Sequence, residues 1–226
     1  MKNLLVFASG DKEGGGSGFQ KLVEATKSGV LQANIVGVIS NHVGGGVSRR
    51  AEKLNVPFYY LENPWTAEDY QFIVNLTNAD FVALSGWLKL VKGLPPDRTI
   101  NIHPGPLPKF GGPGMYGHHV HEAVLAAFKR GEITHSEVCM HFVTEKYDRG
   151  PVFFRCKVEL LPDDTAESIA TRVNKVEHAF QSYFTNQVVN GAIHWDGRNP
   201  DSLVGYVEWV LNGKNLEPNS KPVVLF

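Results

Sequence analysis

The chain has 226 residues, and 42% of them are hydrophobic, which is enough for a substantial core in one large or two small domains. Its formal net charge of −1 creates no global attraction to nucleic acid or to an acidic membrane surface, so we expect neither as a partner. The first apolar run is too short for a signal peptide, and no later run is long enough to span a bilayer, which predicts a cytoplasmic protein.

The first half of the chain alternates buried-strand patterns with helical patterns. The predicted strands are residues 4–8, 33–40, 58–61 and 81–85, and the predicted helices are residues 19–28, 47–54 and 67–76. This alternation is typical of parallel β-α-β units. Ligands bind such sheets outside the carboxyl ends of the strands, which draws attention to the loops 9–18, 86–90 and 101–108.

The second half begins with a predicted helix over residues 118–129 and then changes its pattern. Residues 138–143 and 152–160 are strand-like, as in a hairpin, and contain the only cysteines, Cys139 and Cys156, which we expect to be buried thiols. A long helix over residues 166–189 follows, with Thr165 or Asp164 as its cap. For residues 193–226 we expect a short strand or two and a poorly determined tail. No linker is evident, so residues 1–226 are predicted to form a single domain, with residues 191–226 as a C-terminal extension.

Asn101 and His103 are the residues most suggestive of chemistry. They are two positions apart, so on an extended segment their side chains point the same way, and both can donate hydrogen bonds. Such a pair suits an oxyanion site for acyl transfer, but it could equally close a turn. Asp148 is either a turn former or, if its loop folds over Asn101 and His103, a carboxylate that keeps the imidazole protonated.

Two further patterns are weaker. The glycines of residues 14–18 lie between a predicted strand and helix and offer free N–H groups for a phosphate, but taken alone they favour a flexible solvent loop slightly. His118, His119 and His121 are close in sequence, but no established metal-binding pattern accompanies them, so we do not expect a metal.

Three segments together resemble the folate-dependent formyltransferase family, in particular its phosphoribosylglycinamide formyltransferases. The matching segments are residues 101–104 with 107–110, residues 141–144 followed by Asp148 and 150–152, and residues 172–173 with 177–178. The resemblance extends from residue 3 to about residue 190. It implies an α/β, Rossmann-like formyltransferase fold, with a mostly parallel twisted sheet and helices on both faces.

The resemblance also implies a reaction, the transfer of a formyl group from 10-formyltetrahydrofolate to the amine of glycinamide ribonucleotide in de novo purine biosynthesis, without a metal. It matches Asn101, His103 and Asp148 to the catalytic residues of the family. The matches to the phosphate and ribonucleotide site are Gly16, Ser17, Gly18, Asn174 and Glu177. The matches to the folate site are Leu88, Lys89, Leu90, Val91, Thr144, Glu145 and Tyr147. The partners implied are small-molecule substrates, and the protein is expected to be a monomer or homodimer.

The chain departs from the family pattern where the acceptor would bind. Gly18 stands where the family's phosphate loop usually carries asparagine, and the loops at residues 11–15 and 111–119 are longer. Two alternatives therefore remain. One is a formyltransferase of the same fold that acts on an amino sugar nucleotide, and the other is a non-catalytic nucleotide-binding module.

Overall fold

An eight-stranded sheet runs through the computed structural model, which describes residues 1–209 of the chain. The strand order is β3-β2-β1-β4-β5-β6-β7-β8. Strands β1 to β5 run parallel to one another, β6 is antiparallel to both β5 and β7, and β8 is parallel to β7. The strands are β1 Lys2–Phe7, β2 Ala33–Ser40, β3 Phe58–Tyr60, β4 Phe81–Leu84, β5 Thr99–His103, β6 His135–Phe142, β7 Val152–Glu159 and β8 Val207–Trp209.

The helices cover both faces of this sheet, because the strands of its parallel part are apolar on both sides. Leu4 and Val6 of β1 join a core with the helices α1, α2, α4 and α5, whereas Leu5 and Phe7 face Tyr70 of α3 on the other side. The predicted α/β fold with helices on both faces is thus confirmed. The helices are α1 Ser17–Ser28, α2 Gly46–Leu54, α3 Ala67–Leu76, α4 His118–Lys129 and α5 Ala166–Val189.

The long helix α5 begins at a well-defined N-terminus. Thr165 accepts a hydrogen bond from the Ser168 N–H, and the Ser168 hydroxyl accepts one from the Thr165 N–H, which is a capping box. Arg172 then donates both terminal nitrogens to the carboxylate of Asp164, at 3.0 and 2.7 Å. Of the two predicted caps, Thr165 is the N-cap, and Asp164 anchors the first turns through Arg172.

The strand order places two connections at a topological switch point. The chain leaves β1 toward β2 on one side and returns to β4 on the other, so the loops after β1 and β4 diverge at the same edge of the sheet. β5 follows beside β4, and its carboxyl end opens onto the same edge. The three loops selected from the sequence therefore lie together, although Asn101 and His103 belong to β5 itself rather than to a loop.

Near the end of the described residues, β8 extends the sheet, and His194 and Val204 form a short bridge. The predicted short strand is therefore present, whereas the predicted poorly determined tail lies mostly in residues 210–226, outside the described residues. Cys139 and Cys156 are buried and unpaired, as expected. Within residues 1–209, no helix combines the length and the apolar character that a membrane crossing requires.

Candidate active site

Strand β5 carries the first two predicted site residues. Asn101 and His103 are alternate residues of the strand, so both side chains leave the same face of the sheet. The strand is hydrogen-bonded to β4 on one edge and to β6 on the other, and the β6 register places Asn101 opposite His141. His103 is only 3% exposed, whereas Asn101 is half-buried. The sheet therefore fixes the backbone of both residues.

The loop between β6 and β7 brings Asp148 to this strand. Its Oδ1 atom lies 3.8 Å from Nδ1 of His103 and 3.4 Å from Nε2 of His141. Its Oδ2 atom accepts a 2.9 Å hydrogen bond from the N–H of Gly112. The same His141 nitrogen lies 3.1 Å from Nδ2 of Asn101. The structure thus brings the three predicted residues together and adds His141 between the amide and the carboxylate.

A close backbone approach explains one glycine beside Asp148. A Cβ atom on Gly111 would lie 2.8 Å from the Asp148 Cβ and would also collide with Leu107. Asp148 itself has a φ of 52°, in the left-handed region that aspartate tolerates better than most residues. The longer loop at residues 111–119 is therefore packed against the carboxylate at its start and helps to hold it in place.

Burial decides the charge of His103 in the protein without substrate. It lowers the pKa of the imidazole below the ordinary value, and the opposing effect of the Asp148 carboxylate does not compensate. The Nε2–H of His103 donates a 2.8 Å hydrogen bond to the carbonyl oxygen of Phe110. Burial thus favours the neutral ring when no substrate is bound, and our expectation that Asp148 keeps His103 protonated during the reaction stays a prediction.

Asp148, by contrast, is ionised at neutral pH. Burial alone would raise the pKa of its carboxyl group. His141, His103 and the N–H of Gly112 together outweigh burial, so that the pKa lies below its ordinary value. A neutral imidazole next to a carboxylate can accept a proton during a reaction and be stabilised once it has done so.

The glycine-rich segment after β1 closes on itself. Oδ1 of Asp11 accepts hydrogen bonds from the N–H groups of Glu13 and Gly14, at 2.8 and 2.6 Å, and the Asp11 N–H donates to the Gly14 carbonyl. Gly15 and Gly16 have φ angles of 97° and 76°, which glycine adopts without strain. The segment therefore forms a folded turn that leads into α1, and its role as a phosphate loop stays a prediction.

A cavity of about 200 Å³ lies between this segment and α5. Gly16, Ser17 and Gly18 line one side, and Asn174 and Glu177 line the other. All five residues predicted for the phosphate and ribonucleotide therefore share one cavity. Burial raises the pKa of the Glu177 carboxyl to about 7, against the opposing hydrogen bond from Asn174.

A larger cavity of about 670 Å³ connects this region to the catalytic candidates. Asn101, His103 and Asp148 line it, and so do Asn174 and Glu177, which also line the smaller cavity. A volume of this size matches the pockets that hold small organic ligands. A ligand bound along α5 would therefore reach the side chains of β5.

The residues predicted for folate binding line three neighbouring spaces. Leu88 lines the large cavity, and Glu145 lines a separate cavity of about 250 Å³. The other five surround a slot of only about 40 Å³ beside Asn101 and Asp148, namely Lys89, Leu90, Val91, Thr144 and Tyr147. Lys89 lies with its ammonium group 4.8 Å from the ring centre of Trp65. The two predicted folate segments thus face each other, but the space between them is narrow.

The three clustered histidines of α4 point to different places. His118 and His119 lie 3.7 and 3.3 Å from the carboxylate of Glu122, and His118 also lines the large cavity together with the buried His121. Burial lowers the pKa of His121 to about 4. Within residues 1–209, no three histidine, cysteine or acidic side chains are grouped as metal ligands would be.

A family model described as formyl transferase matches residues 2–185. The chain belongs to this family. The chloroplastic phosphoribosylglycinamide formyltransferase of Arabidopsis thaliana is 32% identical over 220 residues, which cover 88% of this chain and 73% of that protein. The phosphoribosylglycinamide formyltransferase of Bacillus subtilis is 30% identical and covers 84% of this chain and 95% of its own length.

Solved structures of formyltransferases agree with this membership. The phosphoribosylglycinamide formyltransferase from Bacillus halodurans superposes with a TM-score of 0.72 at 27% identity, covering 84% of this chain and 97% of that one. A further sequence relative is much longer than this chain. The trifunctional purine biosynthetic protein adenosine-3 of Drosophila melanogaster is 30% identical to this chain, which spans 14% of that protein.

His141 is a site residue of this formyltransferase to which the sequence alone assigns no role. It belongs to a segment that resembles the family, and in the structure its ring contacts both Asn101 and Asp148. The available signal was the strand pairing, because a predicted β5–β6 pair with a known register would have set residue 141 opposite residue 101.

Proposed function

We propose that the chain transfers the formyl group of 10-formyltetrahydrofolate to the amine of glycinamide ribonucleotide, in purine biosynthesis. The observation that supports this proposal most directly is the arrangement of Asn101, His103 and Asp148 at one end of a cavity that continues to the glycine-rich segment. Membership of the formyl transferase family and the names of the relatives support the same reaction.

The first step is the attack of the substrate amine on the formyl carbon. A carbon–nitrogen bond forms, and the carbonyl electron pair moves to oxygen, giving a tetrahedral intermediate with an oxyanion and a positively charged nitrogen. Asn101 donates an amide N–H to the oxyanion. A donor fixed in a strand needs little reorganisation as this charge develops, which is the basis of oxyanion stabilisation.

His103 then moves one proton. As a neutral imidazole it accepts the proton from the positively charged nitrogen, and the Asp148 carboxylate stabilises the resulting imidazolium. The imidazolium returns this proton to the folate nitrogen as the bond between that nitrogen and the formyl carbon breaks. The formylated amine and tetrahydrofolate leave, and the protein ends in its initial protonation state.

The donor would bind between Leu88–Val91 and Thr144–Tyr147. The 40 Å³ slot between these segments has room for a water molecule or so rather than for a pterin ring. We therefore expect the two segments to separate when folate binds between them. Backbone groups on both sides can pair with the edge of a pterin, and Leu90 and Val91 offer apolar contact to its faces.

The acceptor is tested by turnover. Purified protein is mixed with 10-formyltetrahydrofolate and either glycinamide ribonucleotide or an amino sugar nucleotide, and the appearance of tetrahydrofolate is followed. We expect turnover with the ribonucleotide. Turnover with the amino sugar nucleotide alone would show that the acceptor assignment is wrong.

The catalytic assignment is tested with His103→Asn. This variant should lose at least about 1000-fold in kcat, because the proton carrier is gone, while calorimetry still detects binding of a folate analogue. The matched control is His119→Asn, since His119 is exposed on α4 and does not line the cavity. A His103→Asn variant that turns over at the wild-type rate would contradict the mechanism.

A cytoplasmic location, small-molecule partners only, and a monomeric or homodimeric state belong to the same proposal. Gel filtration of the pure protein with static light scattering would measure the oligomeric state directly.

A further inference from the structure

A side chain at position 18 would meet the side chains of Ser85 and Gln181. A Cβ atom there would lie 2.8 Å from Oε1 of Gln181 and would collide with the hydroxyl of Ser85. The φ angle of Gly18 is not in the left-handed region, so the two neighbouring side chains, rather than the backbone angle, disfavour a larger residue there. The presence of glycine instead of asparagine at position 18 is therefore linked to the side chain of Gln181 on α5.

This glutamine has a polar side chain buried inside the cavity. Gln181 is 2% exposed and lines the 200 Å³ space together with the glycine-rich segment. Its Oε1 atom accepts a hydrogen bond of 3.3 Å from Ser85. Among the described residues, no hydrogen bond of its Nε2 atom is found, so this amide group is available to donate to a ligand in the cavity.

Gln181 also continues the line of the predicted ribonucleotide residues. Asn174, Glu177 and Gln181 are spaced by three and four positions along α5, so they lie on one face of the helix. Gln181 is the member of this row that lies against Gly18, at the N-terminus of α1. The N–H groups there, the helix dipole and the Gln181 amide converge on one small volume.

We propose that Gln181 binds the phosphate of the acceptor by donating its Nε2–H to a phosphate oxygen. In this role it supplies from α5 the amide that Gly18 lacks. The inference rests on the proposed function, because it assumes a phosphorylated acceptor, and it assigns to Gln181 a part in acceptor affinity rather than in formyl chemistry.

The test is Gln181→Leu, which keeps the side-chain size and removes the amide. The KM for glycinamide ribonucleotide should rise about 10- to 100-fold, as expected for a lost hydrogen bond to a charged group, with kcat and the KM for 10-formyltetrahydrofolate nearly unchanged. Gln187→Leu is the matched control, because Gln187 lies on the same helix and does not line the cavity. An unchanged KM in Gln181→Leu would overturn the inference.

A second measurement separates phosphate binding from a purely structural role. Calorimetry compares glycinamide ribonucleotide with its dephosphorylated riboside. Loss of the phosphate should weaken binding more in the wild type than in Gln181→Leu. Equal weakening in both proteins would mean that Gln181 does not contact the phosphate.

A third test moves the amide from position 181 to position 18. Gly18→Asn alone should weaken acceptor binding, because its Cβ meets Ser85 and Gln181, whereas adding Gln181→Ala makes room and should recover part of the affinity. A double variant that binds no better than Gly18→Asn would contradict this transfer of the amide. If the wild type itself does not use glycinamide ribonucleotide, the proposed function fails, and this inference fails with it; if only the variants behave otherwise than expected, the inference alone fails.

Discussion

At the scale of single residues, the charge of His103 results from two opposing effects. Both ring nitrogens face oxygen atoms, Nε2 the Phe110 carbonyl and Nδ1 the Asp148 carboxylate, and this arrangement favours the imidazolium. Burial opposes it and prevails, which leaves a neutral ring whose protonated form already has its partners in place. Such a group can gain and lose a proton within one turnover with little rearrangement.

The titration of His103 tests this balance. The midpoint of its ring-proton resonance should lie below 6.5, the ordinary value for histidine, and should fall further in Asp148→Asn, because the carboxylate that favours the charged ring is gone. Proton NMR between pH 4 and 8 measures the midpoint, and His103→Asn assigns the signal. Glu122→Gln, which removes an exposed carboxylate near other histidines, should leave it unchanged.

The same shift has a consequence for stability. Because the folded-state pKa is depressed, the unfolded chain binds more protons than the folded one below pH 6.5, so this contribution of His103 to stability is lost as the pH falls. A midpoint above 6.5, or one that rises in Asp148→Asn, would contradict the account given for the neutral ring.

At the scale of elements, α2 holds the glycine-rich segment in its folded form. Arg49 donates hydrogen bonds to the carbonyl oxygens of Lys12, Glu13 and Gly44, at 2.8, 3.0 and 3.0 Å. One guanidinium thus ties the inserted part of the segment to the start of the helix. Its rigid fork of donors suits several fixed carbonyls better than a single ammonium would. The insertion therefore lengthens the segment without freeing it.

Removal of the Arg49 guanidinium, which holds the glycine-rich segment, should weaken acceptor binding. Arg49→Ala is expected to raise the KM for glycinamide ribonucleotide about 2- to 10-fold, since the segment must then be ordered by the ligand, and to leave the KM for the folate unchanged. Steady-state kinetics with each substrate varied in turn measure both values. Lys53→Ala, which removes an exposed charge from the same helix, is the control. Equal effects of the two substitutions would indicate general electrostatics instead of these hydrogen bonds.

At the scale of the whole molecule, the described C-terminal strand supports the helix that lines both cavities. Trp209 of β8 is 4% exposed, and its ring centre lies 5.1 Å from that of Phe180 on α5. Phe154 of β7 packs against Phe180 and Phe184 in the same aromatic cluster, with ring centres 5.4 and 4.0 Å away. β8 is thus part of the core, and it lies beyond the residues that the family model matches.

Trp209→Ala should therefore destabilise the protein strongly. A buried aromatic replaced by alanine typically lowers the free energy of unfolding by about 3–5 kcal/mol, through lost contacts and the cavity left behind. Urea unfolding followed by circular dichroism measures this change. Val204→Ala is the control, because Val204 is 49% exposed in the same C-terminal region and should cost well under about 1 kcal/mol. A loss below 1 kcal/mol for Trp209→Ala would show that β8 contributes little to the core.

The sequence predicted the elements better than the contacts between them. Periodicity placed α3, α4 and α5 at their observed ends, because an apolar face repeats locally along each helix. The contact of His141 with Asn101 was missed, because it depends on the register of two strands far apart in the chain. The lowering of the His103 pKa could not be predicted from the sequence either, because burial is a property of the folded surroundings.

The residues proposed for catalysis and those proposed for substrate binding belong to different parts of the fold, because β5 is paired with another strand on both edges. Asn101 and His103 lie on a strand whose backbone is held by its neighbours on both sides, whereas the residues proposed to bind the acceptor and the formyl donor belong to loops and to α5. Changes in those loops can alter which amine is accepted without displacing the proton carrier. To make this scaffold formylate another amine, the loop and α5 residues that line the pocket should therefore be changed, and the β5 residues should be kept.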